Sequence, residues 1–291
     1  IRLPKLSPNA SKYERGRALL VVGSESYPGA ASPALKGALG SGVGSLKAAL
    51  PSALGDSIWR EYPEVVVAGC LDNSKNGSVL LSNFFEQFQL HQIDSLLIGP
   101  GIGLVKEDWS SFEGYLENFS GLLVLDADGI NRLASSAYGW RWLLKRNGPT
   151  WITPHYSEFL RLFPELKDLD PIEAAVQASK SSGVVVLLKG AHSLISDPLG
   201  KTWQIGQTAS WTARSGLGDL LAGFITGLGA IGIAASEECG GELLASLALL
   251  HAQAGLQSSQ GSHASEIGSL LSQITLFHQT KNCLHRHIEV S

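Results

Sequence analysis

Methionine is absent from this chain of 291 residues, at position 1 as elsewhere, and cysteine occurs only at Cys70, Cys239 and Cys283. The missing methionine is expected either of a piece of a longer protein or of a sequence whose modified methionines are unwritten. Three widely spaced cysteines offer neither a disulfide framework nor a zinc-ligand spacing, so a reducing, cytoplasmic setting is expected. Charged residues are scarce at 16%, the formal net charge is −4, and basic residues form no long run. Nucleic acid is therefore not an expected partner. Lys, Arg, Asp, Glu or Gly breaks every apolar run before it reaches the roughly eighteen residues needed to cross a bilayer, so no membrane association is expected. The opening Ile1-Arg2-Leu3-Pro4 lacks a basic start followed by an apolar segment, and no signal peptide is expected. What is plentiful is apolar: 44% of residues are hydrophobic, enough to bury one large core or two modest ones.

Short β-branched or leucine-rich runs alternate with longer segments of helical period, the pattern of an α/β fold with a mainly parallel sheet and helices on both faces. Expected strands are 18–22, 65–68, 95–98, 122–125, 150–153 and 184–189, each nearly continuous in hydrophobicity, as strands buried on both faces should be. Expected helices are 33–50, 80–90, 137–145, 156–163 and 172–181. A hairpin is expected over 193–196 and 202–205, joined by Asp197-Pro198-Leu199-Gly200. From residue 220 the pattern becomes helices only, at 220–228, 242–257 and 266–274. No linker interrupts the pattern, so residues 1–275 read as a single domain. Residues 276–291, with His278, His285 and His287, read as a C-terminal tail rather than a metal site.

The most informative segment is Ser215-Gly216-Leu217-Gly218-Asp219-Leu220-Leu221-Ala222-Gly223. Gly216 and Gly218 let the backbone turn tightly and offer N–H groups to a ligand, and the helix that follows adds partial positive charge at its start. An anionic phosphoryl group is favoured there. Asp219 would repel that group as a ligand but suits a base that takes a proton from a substrate hydroxyl. The alternative is that Asp219 is the N-cap of the helix.

Polar clusters follow strand after strand, where a parallel sheet binds its ligands. They are Gly23-Ser24 with Tyr27-Pro28-Gly29-Ala30-Ala31, then Gly99-Pro100-Gly101-Ile102-Gly103, Asp126-Ala127-Asp128-Gly129-Ile130-Asn131, Thr153-Pro154-His155-Tyr156-Ser157-Glu158, and Lys189-Gly190. Singly, each reads as a turn, a cap or a solvated charge. Together they place five polar groups on one sheet edge and call for a cleft holding a large phosphate-bearing ligand.

In this order the segments resemble the ADP- or ATP-dependent NAD(P)H-hydrate dehydratases of the ribokinase-like superfamily, over about residues 12–274. The resemblance implies a ribokinase-like three-layer sandwich and a metabolite-repair reaction. A nicotinamide ring hydrated at C6 is phosphorylated from ADP or ATP, and loss of phosphate regenerates NAD(P)H. It further implies that Asp219 is the base, with Gly216 and Gly218 holding the transferring group. Ala31, Gly101 and His155, with Asp219, would line the hydrate pocket. Lys189, Gly190, Ala191, His192 and Ser193, with Gly218, would hold the nucleotide, Mg²⁺ would bridge its phosphates, and a homo-oligomer and a fused or separate epimerase would be partners. Four segments depart from the family pattern. Leu217 replaces a Thr or Ser, Tyr156-Ser157 replaces Pro-Gly, Ser11-Lys12-Tyr13 replaces His-Lys-Gly, and Gly206-Gln207-Thr208-Ala209-Ser210-Trp211 replaces an asparagine-containing segment. Two other readings stay open: a superfamily kinase for a vitamin precursor or sugar alcohol, and a nucleotide-binding member without turnover.

Overall fold

The computed structural model describes residues 1–7, 9–105, 109–206, 208 and 210–288. Among them, nine strands form one sheet in the order β11-β10-β9-β8-β7-β6-β1-β2-β3. Strand β1 (Arg17–Val21) sits inside it, with β2 (Ser45–Leu50) and β3 (Val66–Cys70) on one side. On the other lie β6 (Ser95–Ile98), β7 (Leu122–Leu125), β8 (Thr150–Ile152) and β9 (Val185–Leu188), and all of these pair in parallel. Strands β10 (Leu194–Ser196) and β11 (Thr202–Gln204) close that edge as the expected antiparallel hairpin. A separate small hairpin pairs β4 (Asp72–Asn73) with β5 (Val79–Leu80).

Because side chains alternate along a strand, one continuous apolar run feeds two cores. Leu20, Leu97, Val124 and Leu187 face one core, and Leu19, Leu96, Leu125 and Val186 face the other. Helices Ala31–Gly40, Leu217–Ala234, Gly241–Gln257 and Ala264–Ile288 cover the first face. Helices Ser82–Gln87, Ala127–Ala134, Tyr156–Leu162 and Pro171–Ser182 cover the second. The result is the three-layer α/β sandwich expected.

Several boundaries differ from the sequence reading. The expected helix 33–50 is a helix to Gly40 followed by strand β2; Gly42, at φ +78°, turns the chain between them, and pairing on both sides makes a strand of Ser-Leu-Lys-Ala-Ala-Leu. Helix 80–90 shortens to Ser82–Gln87, and 137–145 is a 3₁₀ helix over Gly139–Lys145. Segment 276–288, expected as a tail, continues the last helix to Ile288. The side chains of Cys283, His285 and His287, together with Gln207, Ala209 and residues 289–291, lie outside the described residues. The helix Leu217–Ala234 is in fact long and apolar enough to cross a membrane, contrary to the reading of the broken runs, since glycines and a single Asp do not stop it. It is largely buried beneath the sheet, where a core helix has the same composition.

That helix packs against Ala31–Gly40 backbone to backbone. A Cβ at Gly223 would lie 1.8 Å from the Ala34 carbonyl oxygen, and one at Gly37 would lie 2.1 Å from that of Leu220. Gly223→Ala should therefore force the helices apart and destabilise the fold by about 1–3 kcal/mol or more, as overpacked cores do, measured by urea unfolding.

Candidate active site

Strand order reverses between β1 and β6, so the chain leaves their carboxyl ends in opposite directions and opens a crevice there. The loops on either side are tied together: the Gly23 N–H donates to the Pro100 carbonyl at 2.8 Å. Gly101, at φ +67°, presses on the other loop so closely that a Cβ would meet the Ala30 Cβ at 2.5 Å and the Tyr27 carbonyl at 2.9 Å. Ala31 starts the adjoining helix and is fully buried.

At the β7 end, Asp126 is buried and accepts hydrogen bonds from the Thr153 hydroxyl at 2.9 Å and the Lys189 ammonium at 2.6 Å. Asp128 Oδ2 accepts from the Gly103 N–H at 2.9 Å, joining this loop to the β6 loop. At the β8 end, His155 caps the helix Tyr156–Leu162. Its Nδ1 accepts from the Glu158 N–H at 3.3 Å, while Glu158 Oε2 accepts from the His155 N–H at 2.9 Å. The His155 Nε2 faces Glu158 Oε1 at 3.0 Å. Burial raises the Glu158 pKa, with Lys189 opposing it.

Helix Leu217–Ala234 begins two residues before Asp219. Gly216, at φ +83°, is its N-cap and Asp219 lies inside its first turn, so the capping alternative does not hold. The Asp219 carboxylate is half-buried and makes no hydrogen bond among the described residues. Burial pushes its pKa up to about 6, with Asp126 adding to the rise and Lys189 opposing it. Asp219 therefore stands near neutrality, where a general base works best. Burial works against the Lys189 charge, but Asp126, Glu158 and Asp219 outweigh it and hold the ammonium above its ordinary value. Its Nζ would lie 3.5 Å from a Cβ placed on Gly218, so the cation sits directly beside the glycine loop.

Next to this point opens a cleft of about 1040 Å³, walled by His155, Lys189 to Ser193, Thr208 and Ser210 to Arg214, together with Leu217, Gly218 and His251. The structure thus brings together His155, Lys189, Gly190, Ala191, His192, Ser193 and Gly218. Ala31, Gly101, Gly216 and Asp219 lie outside the wall, at the glycine loop and the crevice; Gly216 links the two regions, since a Cβ there would touch Pro33 at 3.3 Å.

His251 was not singled out in the sequence, although a lone histidine amid Leu-Leu-His-Ala-Gln-Ala is the visible signal. Its Nε2–H donates to the Leu217 carbonyl at 3.2 Å, and burial holds its pKa down to about 4, so it stays neutral and pins the glycine loop. His251→Phe should cost about 1–3 kcal/mol through the stranded carbonyl, seen in denaturant melts.

A mainly parallel three-layer sandwich with an acid behind a glycine loop at a helix start is the ribokinase-like fold. A solved ribokinase-like superfamily structure from Enterococcus faecalis superposes with TM-score 0.72 at 23% identity, covering 95% of this chain and 93% of that one. The chain belongs to the NAD(P)H-hydrate dehydratase family, whose model matches residues 18–275. The ADP/ATP-dependent NAD(P)H-hydrate dehydratase of Bacillus subtilis, co-crystallised with ATP/Mg²⁺, is 27% identical, with TM-score 0.73 over 94% of this chain and 93% of that one. The bifunctional NAD(P)H-hydrate repair enzyme of Synechocystis is 35% identical over 250 residues, which are 86% of this chain and 45% of that protein. The chain spans about half the length of the curated relatives it matches first.

Proposed function

We propose that this chain uses an adenine nucleotide, ADP by preference, to return the S epimer of NAD(P)H hydrate to NAD(P)H with release of phosphate. Residues 1–275 act as one domain in this reading and correspond to the dehydratase half of the bifunctional relatives, with an epimerase supplied by fusion or separately and a homo-oligomer as the working form. The observation that carries it is Asp219: a half-buried carboxylate without a hydrogen-bond partner among the described residues, one residue beyond the glycine loop, where burial pushes its pKa up to about 6.

The hydroxyl on C6 of the hydrate would approach from the crevice lined by Gly101 and the start of the Ala31 helix, with His155 reaching it from the cleft wall beside Lys189. Asp219 takes the hydroxyl proton as that oxygen attacks the terminal phosphorus, and the bond from that phosphorus to the nucleotide's bridging oxygen breaks, releasing AMP from ADP or ADP from ATP. Main-chain N–H groups at Gly216 to Gly218 stabilise the transferring group, and Lys189 supports them electrostatically. Phosphorylation makes a good leaving group: the C6–O bond breaks, a proton leaves the adjacent carbon, and the ring double bond returns. Lys189 to Ser193 and Gly218 hold the nucleotide.

Among the described residues no three His, Cys, Asp or Glu side chains gather as metal ligands. Asp126 and Asp128 already accept hydrogen bonds and Glu158 is bound to His155. That donor set fits Mg²⁺ held through nucleotide phosphates and water. When bound, it would neutralise phosphate charge.

The test is incubation with magnesium, chemically hydrated NADH and either ADP or ATP, following dihydronicotinamide absorbance in the near ultraviolet. Recovery with one nucleotide supports the reaction and identifies the donor. Absent recovery, with nucleotide still bound, reassigns the site to a different hydroxyl substrate or to binding without turnover.

A further inference from the structure

We propose that Arg214 grips the terminal phosphate of the nucleotide and makes the cleft prefer a nucleoside di- or triphosphate over the monophosphate. This rests on the reading that the cleft holds an adenine nucleotide. The cleft wall contains no Asp or Glu, yet its basic side chains are not equally free. Lys189 is ion-paired to Asp126 at 2.6 Å, so its charge is shared with a buried carboxylate. His155 is bound to Glu158, and His251 is neutral and committed to the Leu217 carbonyl. Leu217, between the two loop glycines, has no polar atom in its side chain to offer. Arg214 differs. It lies two residues before Gly216 on the loop that enters the glycine turn, is half-buried, and lines the same cleft.

Its Nε donates to the Thr212 carbonyl at 3.2 Å and one Nη2 proton goes to the Trp211 carbonyl; both partners are uncharged main chain. Among the described residues no carboxylate pairs with it and Nη1 makes no hydrogen bond. A guanidinium anchored at one end, with a free N–H pair and an unneutralised charge facing a cleft, suits bidentate capture of a phosphate. If ADP is the donor, the AMP product lacks the phosphate that Arg214 holds, so the same contact favours binding of substrate and departure of product.

Calorimetric titration of the whole chain with ADP, ATP and AMP, for wild type, Arg214→Gln and Arg214→Lys, tests this, with unfolding midpoints to show that each variant is folded. Arg214→Gln should weaken ADP and ATP by about 10- to 100-fold, the range of a charge-assisted hydrogen bond, and leave AMP within about threefold. Arg214→Lys should restore part of the loss, because a point charge remains without the fork. Equal weakening of AMP, or unchanged ADP binding, would overturn the assignment. Binding requires no hydrate, so a wild type that holds ADP through Arg214 without dehydrating the hydrate sinks the proposed reaction alone. Turnover by wild type together with normal ADP binding by Arg214→Gln sinks the arginine alone.

Discussion

Asp219→Asn should lower kcat by about 10²- to 10⁴-fold, the usual share of a general base, while nucleotide affinity stays within a few fold. The wild-type rate should climb with pH through about 6 and then level, because Asp219 as the proposed base would work only when ionised and its pKa is raised to that value by burial and by Asp126. Stability moves the other way. The folded pKa of Asp219 exceeds its ordinary 3.8, so the folded chain binds more protons, and the stability tied to the protonated group is complete below 3.8 and lost as pH rises through about 6. The Asn variant should accordingly melt higher than wild type at neutral pH and lose that advantage near pH 4. His251 has the opposite sign: its folded pKa is depressed to about 4 from 6.5, so its contribution is present above 6.5 and lost as pH falls through about 4. A melt series from pH 4 to 8 on both proteins separates the two groups. Turnover within about tenfold of wild type would remove Asp219 from the chemistry.

Lys189→Met should destabilise the fold by about 3–5 kcal/mol, because it leaves the carboxylate of Asp126 buried without a counter-charge. Against the roughly 5–15 kcal/mol that holds a typical protein folded, that is a severe loss. Adding Asp126→Asn in the same chain should recover much of it, since the uncompensated charge is gone and Thr153 still donates to the remaining side chain. Urea unfolding of the two single variants and the double variant gives the coupling directly. Additive costs would mean that the 2.6 Å pair contributes little beyond its separate parts.

The sheet was legible because strands buried on both faces cannot hide: the segments at 95–98 and 122–125 coincide with β6 and β7 to the residue. Strand β2 was not, since Ser-Leu-Lys-Ala-Ala-Leu has a helix former's composition and becomes a strand only because β1 and β3 pair with its two edges. The polar clusters at the strand ends were readable as a group because the topology sends them all to one edge. Their internal division was not readable. Nothing in the sequence says that Lys189 is held by Asp126, sixty-three positions earlier in the chain, or that His251 reaches back to Leu217. Such pairings depend on how helices stack, and no local period records that. The capping alternative for Asp219 failed for a smaller reason: the left-handed turn at Gly216 starts the helix earlier than the apolar pattern does.

The backbone contact between Ala31–Gly40 and Leu217–Ala234 bears on how the proposed site would select an acceptor. One helix starts at the crevice where a hydroxyl would enter, and the other starts at the loop that would carry the phosphate. With Gly37 and Gly223 seated on opposing carbonyls there is no side chain between them to compress or rotate, so the spacing of their first turns behaves as a fixed gauge. Substitutions around the pocket would then change how tightly an acceptor is held but not how far its hydroxyl stands from the donor. An alcohol of the wrong reach would be bound and left untouched.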